Sequence, residues 1–366
     1  VTGSAPVAEL RDWTIRVLAE TGLAVEDAGT VADSLIFADL RGVSTHGVLR
    51  LPTYVERLRA GGINVRPQVR VVADAGALVV VDADAGPGAS TGAEAADLAV
   101  ARARVHGIAC VVARNANHFG ASAYFTNRIA DAGMVGIAAC NTEPVMSAPF
   151  GGAPVLGTNP IAVAVPLPAH RRPQLDMATT VTSQGRLIMA LHAGEDIPLG
   201  WAVDAAGRAT TSAAAGLEGA LLPVGGPKGF GLAFAVDALL AVAGAATSPD
   251  VVALAGDPAT PQGLGHLFIA VRADLVSSPE EYTARIDALV AAIHASGGQL
   301  DVPEPLAPGE PEVRRERAAG GLVHLSSTVL ADLHLLADAL GVPLPTSVSG
   351  APVPATPTPA EQGGAT

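Results

Sequence analysis

The run Leu78-Val79-Val80-Val81, followed by Gly86-Pro87-Gly88-Ala89-Ser90-Thr91-Gly92, decides what kind of α/β protein this chain can be. A β-branched stretch that feeds a glycine-rich turn and then a helix has the layout of a dinucleotide fingerprint. In that motif the glycines let the backbone approach a pyrophosphate at a helix N-terminus. Here the match fails on three counts. The glycine spacing is wrong by one residue, a proline occupies the turn, and the next strand ends at Ala113-Arg114 without an acid to hold a ribose. The segment reads as a tight strand-to-helix connection, and a Rossmann site is not expected.

On either side of it the chain alternates. Leu10, Trp13, Val17 and Leu18, then Val31, Leu35, Ile36 and Leu40, repeat at helical spacing, and β-branched alternation follows from Val69 to Val81. Helices are expected over Ser90–His106, Ala121–Ala132, Gln184–His192, Lys228–Ala243, Pro279–Ala295 and Ser326–Leu340. Strands are expected over Gly107–Ala113, Val135–Cys140, Ile161–Val165 and His266–Val271. This is an α/β pattern. The expected division is an N-terminal helical part, 1–75, packing with 310–344, then an α/β part over 76–309. From Pro345 to Thr366 the chain is mostly Pro, Ala, Thr, Ser and Gly and reads as an unstructured tail.

With 366 residues and 49% apolar content the chain can bury a large core. A net charge of −13, with no long basic block, argues against a nucleic-acid or anionic-membrane surface. Charged residues at Glu9, Arg11, Asp12, Arg16 and Glu20 interrupt any signal-peptide core, and no apolar run reaches the ~18 residues of a membrane span. A cytoplasmic protein is expected. Cys110 and Cys140 sit in apolar runs as buried free thiols, and no cysteine or histidine spacing suits zinc.

Four clusters could carry chemistry. In Arg41-Gly42-Val43-Ser44-Thr45-His46-Gly47-Val48-Leu49-Arg50-Leu51-Pro52-Thr53-Tyr54, a helix resuming near Thr45 would make His46 and Arg50 neighbours at i and i+4, with Tyr54 a turn further along. An imidazole able to trade a proton, beside a guanidinium able to clamp a carboxylate, suits the interconversion of an α-keto and an α-hydroxy acid. Pro52 could kink that helix. Asn115 to Tyr124 opens a helix with small residues. Ala148 to Pro160, ending Leu156-Gly157-Thr158-Asn159-Pro160, is a glycine- and proline-rich approach to a strand, and Leu175-Asp176-Met177-Ala178-Thr179-Thr180 brings an acid and two hydroxyls. Taken singly, each of the last three is also an ordinary connecting loop, and the first is also a helix-capping Thr45 with a solvent-facing His/Arg pair. The chain's one lysine, Lys228, lies in Pro223-Val224-Gly225-Gly226-Pro227-Lys228-Gly229-Phe230-Gly231, at the expected N-terminus of a helix that favours anions.

Read in order from about Glu9 to Leu340, these segments resemble the malate/L-lactate dehydrogenase family. That family also holds ureidoglycolate, sulfolactate and diketogulonate oxidoreductases and the cyclic-imine carboxylate reductases. Asn117-His118-Phe119-Gly120, Gly151-Gly152, Ile197-Pro198-Leu199-Gly200-Trp201 and Pro308-Gly309-Glu310-Pro311 complete the match. The resemblance implies a non-Rossmann fold of its own, a mixed-sheet cofactor domain plus a mainly helical domain, usually in a homodimer. It implies an NAD- or NADP-dependent oxidoreductase acting on a small 2-oxo or 2-hydroxy acid, or on a cyclic imine such as piperideine-2-carboxylate. A ligand-binding protein that had lost the chemistry is the non-enzymatic alternative.

By the same resemblance His46 is the proton donor, with His118 competing for that role, and Arg50 and Tyr54 hold the substrate carboxylate near Thr45 and Thr158. The cofactor lies against His118, Phe119, Gly120, Ala121 and Ser122, against Asp176, Met177 and Ala178, and against Lys228-Gly229 and Pro308, Gly309, Glu310 and Pro311. Two positions depart from the family pattern. Thr45 stands where serine is usual, and Arg186 follows Gly185 where many relatives carry lysine.

Overall fold

The structure, a computed structural model, describes residues 3–149, 151–297 and 305–348. Along the chain the elements are β1 (Gly3–Pro6), α1 (Val7–Ala19), α2 (Val25–Leu40), α3 (Leu51–Ala60), β2 (Arg70–Asp74), β3 (Leu78–Asp82), α4 (Gly88–His106), β4 (Ile108–Ala116), α5 (Ser122–Asp131), β5 (Met134–Cys140), β6 (Met146–Ser147), β7 (Pro154–Leu156), β8 (Ile161–Ala164), β9 (Gln174–Met177), α6 (Gln184–Ala193), β10 (Ala202–Val203), α7 (Ala213–Glu218), β11 (Ala220–Leu221), α8 (Pro227–Ala241), β12 (Leu264–Arg272), α9 (Pro279–Ala295), α10 (Glu310–Ala318), β13 (Leu322–Leu325) and α11 (Ser327–Leu340).

The central sheet has the order β2-β3-β4-β12-β5-β8-β9. Only β3 and β4 run parallel, joined through α4. β12 lies antiparallel between β4 and β5, and every other pairing in the sheet is antiparallel too. This is a mixed sheet, and its single parallel pair falls short of the run of parallel strands on which a Rossmann crevice depends.

Strand alternation covers both faces of the sheet. Val79, Val81, Val111, Ala113, Ala138 and Phe268 point to α4 and α5, where they meet Ala96, Ala99, Phe125 and Ile129. Their neighbours Val80, Val112, Ala139 and Leu267 point the other way, onto Val236 and Leu240 of α8. α4 comes close because it presents glycine and alanine: a Cβ at Gly92 would lie 2.9 Å from the Phe125 ring.

A second, mainly helical layer packs α1, α2, α3 and α11 around Leu10, Trp13, Val17, Leu35, Leu51 and Leu333. Each such fully buried side chain is worth about 2 kcal/mol of transfer free energy. The Trp13 indole N–H donates to Val342 O at 3.0 Å. The β1·β13 ribbon ties the two ends of this layer together.

The structure departs from expectation in three places. A four-stranded sheet, β10-β11-β6-β7, occupies loops that read as connectors, because strands of two or three residues leave no periodic trace. The helices α7 and α10 and the strands β1, β9 and β13 likewise fall outside the expected elements. Within the expected tail, Pro345 to Val348 form a turn: Val348 packs on the helical layer and the Ser347 hydroxyl donates to Glu9. The rest of that stretch, 349–366, lies outside the described residues.

Candidate active site

The catalytic-looking segment is not one helix. Ser44–His46 and Val48–Arg50 are separate 3₁₀ turns, with Gly47 extended between them (φ −87°, ψ −156°), and α3 starts only at Leu51. The expected i, i+4 pairing of His46 and Arg50 is therefore wrong. Arg50 instead folds back, and its Nε donates to Thr45 O at 2.7 Å. Pro52 sits in the first turn of α3, where a missing N–H costs nothing, and does not kink it.

Around this break four side chains gather. The Thr45 hydroxyl meets His46 Nδ1 at 3.0 Å. The His46 ring stacks on His118, with centroids 5.5 Å apart and planes 17° apart. His118 Nδ1 lies 2.6 Å from the Tyr54 hydroxyl, which arrives from α3. Burial, and then the Arg50 charge, push His46 down to about 4. Burial, His46 and Arg50 hold His118 well below the ordinary histidine range. Both imidazoles are thus neutral at physiological pH, and burial keeps Tyr54 un-ionised. The backbone N–H of His118 donates to Gln262 Oε1, and the backbone N–H of Gln262 donates in turn to Asn117 Oδ1.

A second group surrounds the start of α5. Asp176 Oδ2 accepts the Ala123 N–H at 2.8 Å. Asp176 is exposed as a residue, yet the protein packed around its carboxyl pushes it up to about 6, against the lowering effect of the Ala123 bond. The Gln174 side chain donates to the Ala123 carbonyl, and its backbone N–H donates to Pro308 O. Gly309 packs so closely on Gln174 that a Cβ there would lie 2.9 Å from Gln174 N. Ser122 Oγ is buried and has no hydrogen-bond partner among the described residues. Phe119 turns away into the core, stacked on Phe125 and tilted against His266. Glu310 is held by His294 and the Ala307 N–H, with Pro311 following in the first turn of α10.

The third group holds Thr158 and Lys228. Thr158 O accepts both the N–H and the hydroxyl of Thr179 at 2.8 Å. Gly229 packs against Thr179 O and Val224 O, where a Cβ would lie 2.5 and 2.4 Å away. Lys228 is the second residue of α8, after Gly225 and Gly226, both at positive φ. Its ammonium is exposed, with no ion pair or side-chain hydrogen bond to any described residue.

One stretch links all three groups. It runs from Asp176 at α5, past Met177 and Ala178, to Thr179 beside Thr158 and Gly229, and on to Gly185. There an added Cβ would lie 2.8 Å from the Thr45 methyl. His46 and Lys228, 182 positions apart in the chain, are thereby joined through a single run of backbone. Sequence reasoning missed the residues that hold this arrangement. Asp39 accepts the Val48 N–H at 2.8 Å, and Asp237 receives Asn141, Asn159 and both donors of Ser248. No signal in a single sequence marks either one, since each looks like an ordinary helical acid.

A family model for malate/L-lactate dehydrogenase matches residues 5–334. The chain belongs to the malate/L-lactate dehydrogenase family. It is 41% identical over 303 residues to the L-sulfolactate dehydrogenase of Methanocaldococcus jannaschii, covering 82% of this chain and 87% of that protein. The solved structure of that organism's sulfolactate dehydrogenase superposes with a TM-score of 0.86 at 36% identity, covering 92% and 97% of the two chains. Ureidoglycolate dehydrogenase (NAD(+)) of Escherichia coli K12 is 34% identical over 82% of this chain and 86% of its own. The Δ1-piperideine-2-carboxylate reductase of Pseudomonas syringae has the same fold, with a TM-score of 0.81 at 27% identity over 91% and 99% of the chains. As a member of this dehydrogenase family the chain is an oxidoreductase of two-part α/β architecture. Among the described residues no helix is long and apolar enough to cross a membrane, and no three His, Cys, Asp or Glu side chains gather as metal ligands. Cys110 and Cys140 are both free, but only Cys140 is buried as expected; Cys110 is half-buried.

Proposed function

We propose that this oxidoreductase interconverts a small 2-oxo acid and its 2-hydroxy acid with a nicotinamide dinucleotide as the redox partner. The observation that carries the reading is the gathering of His46, His118, Tyr54 and Arg50 beside the segment that leads to Lys228. The residues along that segment fit such a cofactor. They offer an orphaned buried hydroxyl at Ser122, an unpaired ammonium at the N-terminus of α8, and positive-φ glycines at 225 and 226 that leave room for a phosphate to approach backbone. His118, Gly120, Ala121 and Ser122, with 176–178, 228–229 and 308–311, would hold it, while the Phe119 ring is taken up by the core, and when bound the cofactor would give or take the hydride at C4 of its nicotinamide. The relatives' names include both NAD and NADP enzymes.

Arg50 clamps the substrate carboxylate, anchored through its Nε to Thr45 O so that its terminal N–H groups stay free for a bidentate pair. His46 exchanges the proton of the reacting oxygen at its Nε2, while the Thr45 hydroxyl occupies Nδ1 and fixes the ring. Tyr54, un-ionised, bonds His118 Nδ1 and so holds that ring in its stack on His46. Leu232, Phe234, Leu239 and Val242 of α8 and its end, and Ile188 and Met189 of α6, are exposed apolar side chains of the kind a homodimer would cover. Likeness to the piperideine-carboxylate reductase keeps a cyclic imine as the second substrate reading, because the carboxylate clamp serves both.

Turnover of pyruvate, oxaloacetate and piperideine-2-carboxylate with NADH and NADPH tests the proposal. His46→Ala should lower kcat by about 100-fold or more and leave cofactor affinity nearly unchanged. Near-normal kcat would pass the proton to His118, and failure of NADH and NADPH to bind in a fluorescence titration would return the chain to a ligand-binding role.

A further inference from the structure

Asp39 stands on the last turn of α2, outside every segment that carries a sequence motif, and its carboxyl points at the break between the two 3₁₀ turns. Oδ2 accepts the Val48 N–H at 2.8 Å. Oδ1 fills the space beside Gly47: a Cβ there would lie 2.0 Å from Oδ1 and 2.2 Å from Cγ. Glycine at 47 and an acceptor at 39 are two halves of one contact. Val48 is fully buried, so without Asp39 its N–H would lose its partner in a place where water cannot replace it.

The break matters because it sets His46 against Arg50. In a continuous helix Arg50 would stand one turn above His46 and point the same way. With Gly47 extended, Arg50 bends back onto Thr45 O, and the same Thr45 presents its hydroxyl to His46 Nδ1. Thr45 ties the two side chains on one side of the break, and Asp39 pins the backbone on the other.

We propose that Asp39 is a positioning residue for the reaction: its carboxyl holds the Gly47–Val48 break open and so fixes the distance between the proton-exchanging imidazole of His46 and the carboxylate clamp of Arg50. The proposal rests on the reading that His46 and Arg50 serve one substrate. Asp39 is half-buried, and desolvation pushes its carboxyl up to about 7 against the lowering effect of the Val48 N–H.

The test compares wild type with Asp39→Ala and Asp39→Asn by kcat, keto-acid KM, NADH or NADPH fluorescence titration and urea midpoint. A misplacement of about 1 Å costs roughly 100-fold in rate. On that scale Asp39→Ala is expected to lower kcat roughly 30- to 100-fold and raise KM, with cofactor affinity within about twofold of wild type. Asp39→Asn, which keeps an acceptor oxygen for Val48, should recover kcat to within about threefold. Should the alanine variant not fold, Asp39→Ser, too short to reach Val48, replaces it. Unchanged kcat in the alanine or serine variant, asparagine as impaired as alanine, or a loss of cofactor binding as large as the loss of kcat would each overturn the proposal. Wild-type protein with no turnover of any 2-oxo acid overturns the function reading instead, and the role of Asp39 falls with it.

Discussion

Gly88→Ala asks directly why the glycine-rich turn is there. If Gly88 leaves room for a phosphate, adding a methyl group should weaken cofactor binding and little else. The structure gives this glycine a different role, because an added Cβ would lie 2.1 Å from Asn117 O, 2.5 Å from His118 O and 2.6 Å from His118 C, where 3.4–4 Å is ordinary contact. All three neighbours are backbone, so no rotamer change relieves the clash, and the segment carrying His118 must retreat by roughly 1 Å to restore ordinary packing distances. The retreat is opposed. Asn117 Nδ2 clamps the same turn through Ala85 O at 2.6 Å and Gly86 O at 3.2 Å, and Gln262 holds the His118 N–H.

Overpacking of this kind costs about 1–3 kcal/mol, and the gain in helix propensity from Gly to Ala returns at most about 1 kcal/mol at the first residue of α4. A net loss of about 1–2 kcal/mol, the middle of that range less the propensity gain, is expected in urea unfolding. On the proposed reading, a shift of His118 against its stacked partner His46 also lowers kcat about 100-fold. Fluorescence titration with NADH or NADPH should show affinity changed far less than kcat. An unaltered urea midpoint, or a collapse of cofactor affinity at constant stability, would refute the reasoning and restore the turn as a phosphate cradle.

Arg50→Lys keeps the charge but loses the bidentate fork and the Nε bond to Thr45 O, so KM for a keto acid should rise at least tenfold with a smaller change in kcat, and an unchanged KM would remove Arg50 from the substrate. Asp237→Ala leaves the Nδ2 groups of Asn141 and Asn159 and both donors of Ser248 short of a buried acceptor; a loss of about 3 kcal/mol or more is expected in denaturant melts, and a loss below about 1 kcal/mol would show that the network can be resatisfied. His266 is fully buried between Phe119 and Phe268, and burial pushes it down to about 3 from an ordinary 6.5. The unfolded chain then binds a proton that the fold refuses, so His266 costs stability as pH falls below about 6.5 and continues to do so down to about 3. His266→Phe should flatten the fall in urea midpoint between about pH 7 and pH 4, and parallel curves would sink the assignment.

Periodic segments were legible in the sequence almost residue by residue. α9 runs over Pro279–Ala295 as its spacing predicts, and α4, α5, β5 and α11 differ by one or two positions at an end. Their boundaries come from local causes: proline or serine at the start, as in the Ser278–Glu281 capping box, and glycine just past the end, as at Gly107 and Gly341. The region from 44 to 50 misleads a sequence reading because nothing local breaks it. The spacing of His46 and Arg50 is helical, and the interruption at Gly47 is imposed by a carboxyl nine residues before Val48. Asp237 escapes for a similar reason. It is one acid in the largely apolar helix α8, and only the fold reveals that Asn141, Asn159 and Ser248 surround it.

The electrostatics of the site also bear on the direction of chemistry. With both imidazoles neutral in the free protein, the site already holds a base with an open lone pair, which is the form that oxidation of a hydroxy acid uses. Reduction of a keto acid needs the conjugate acid, and a histidine near 4 carries little of it at neutral pH. Two causes depress His46. Burial is the larger, and it persists or deepens when substrate covers the ring. The second is the Arg50 charge, and a carboxylate clamped by Arg50 cancels it. On the proposed reading the substrate thus supplies part of the change in proton affinity that its own reduction requires, and a bound keto acid takes up a proton that the empty site does not hold. Arg50 then acts twice: it places the carboxylate, and by being neutralised it lets His46 become an acid. That coupling depends on the two side chains being held at a fixed separation, which is the geometry that Thr45 and Asp39 enforce from either side of Gly47.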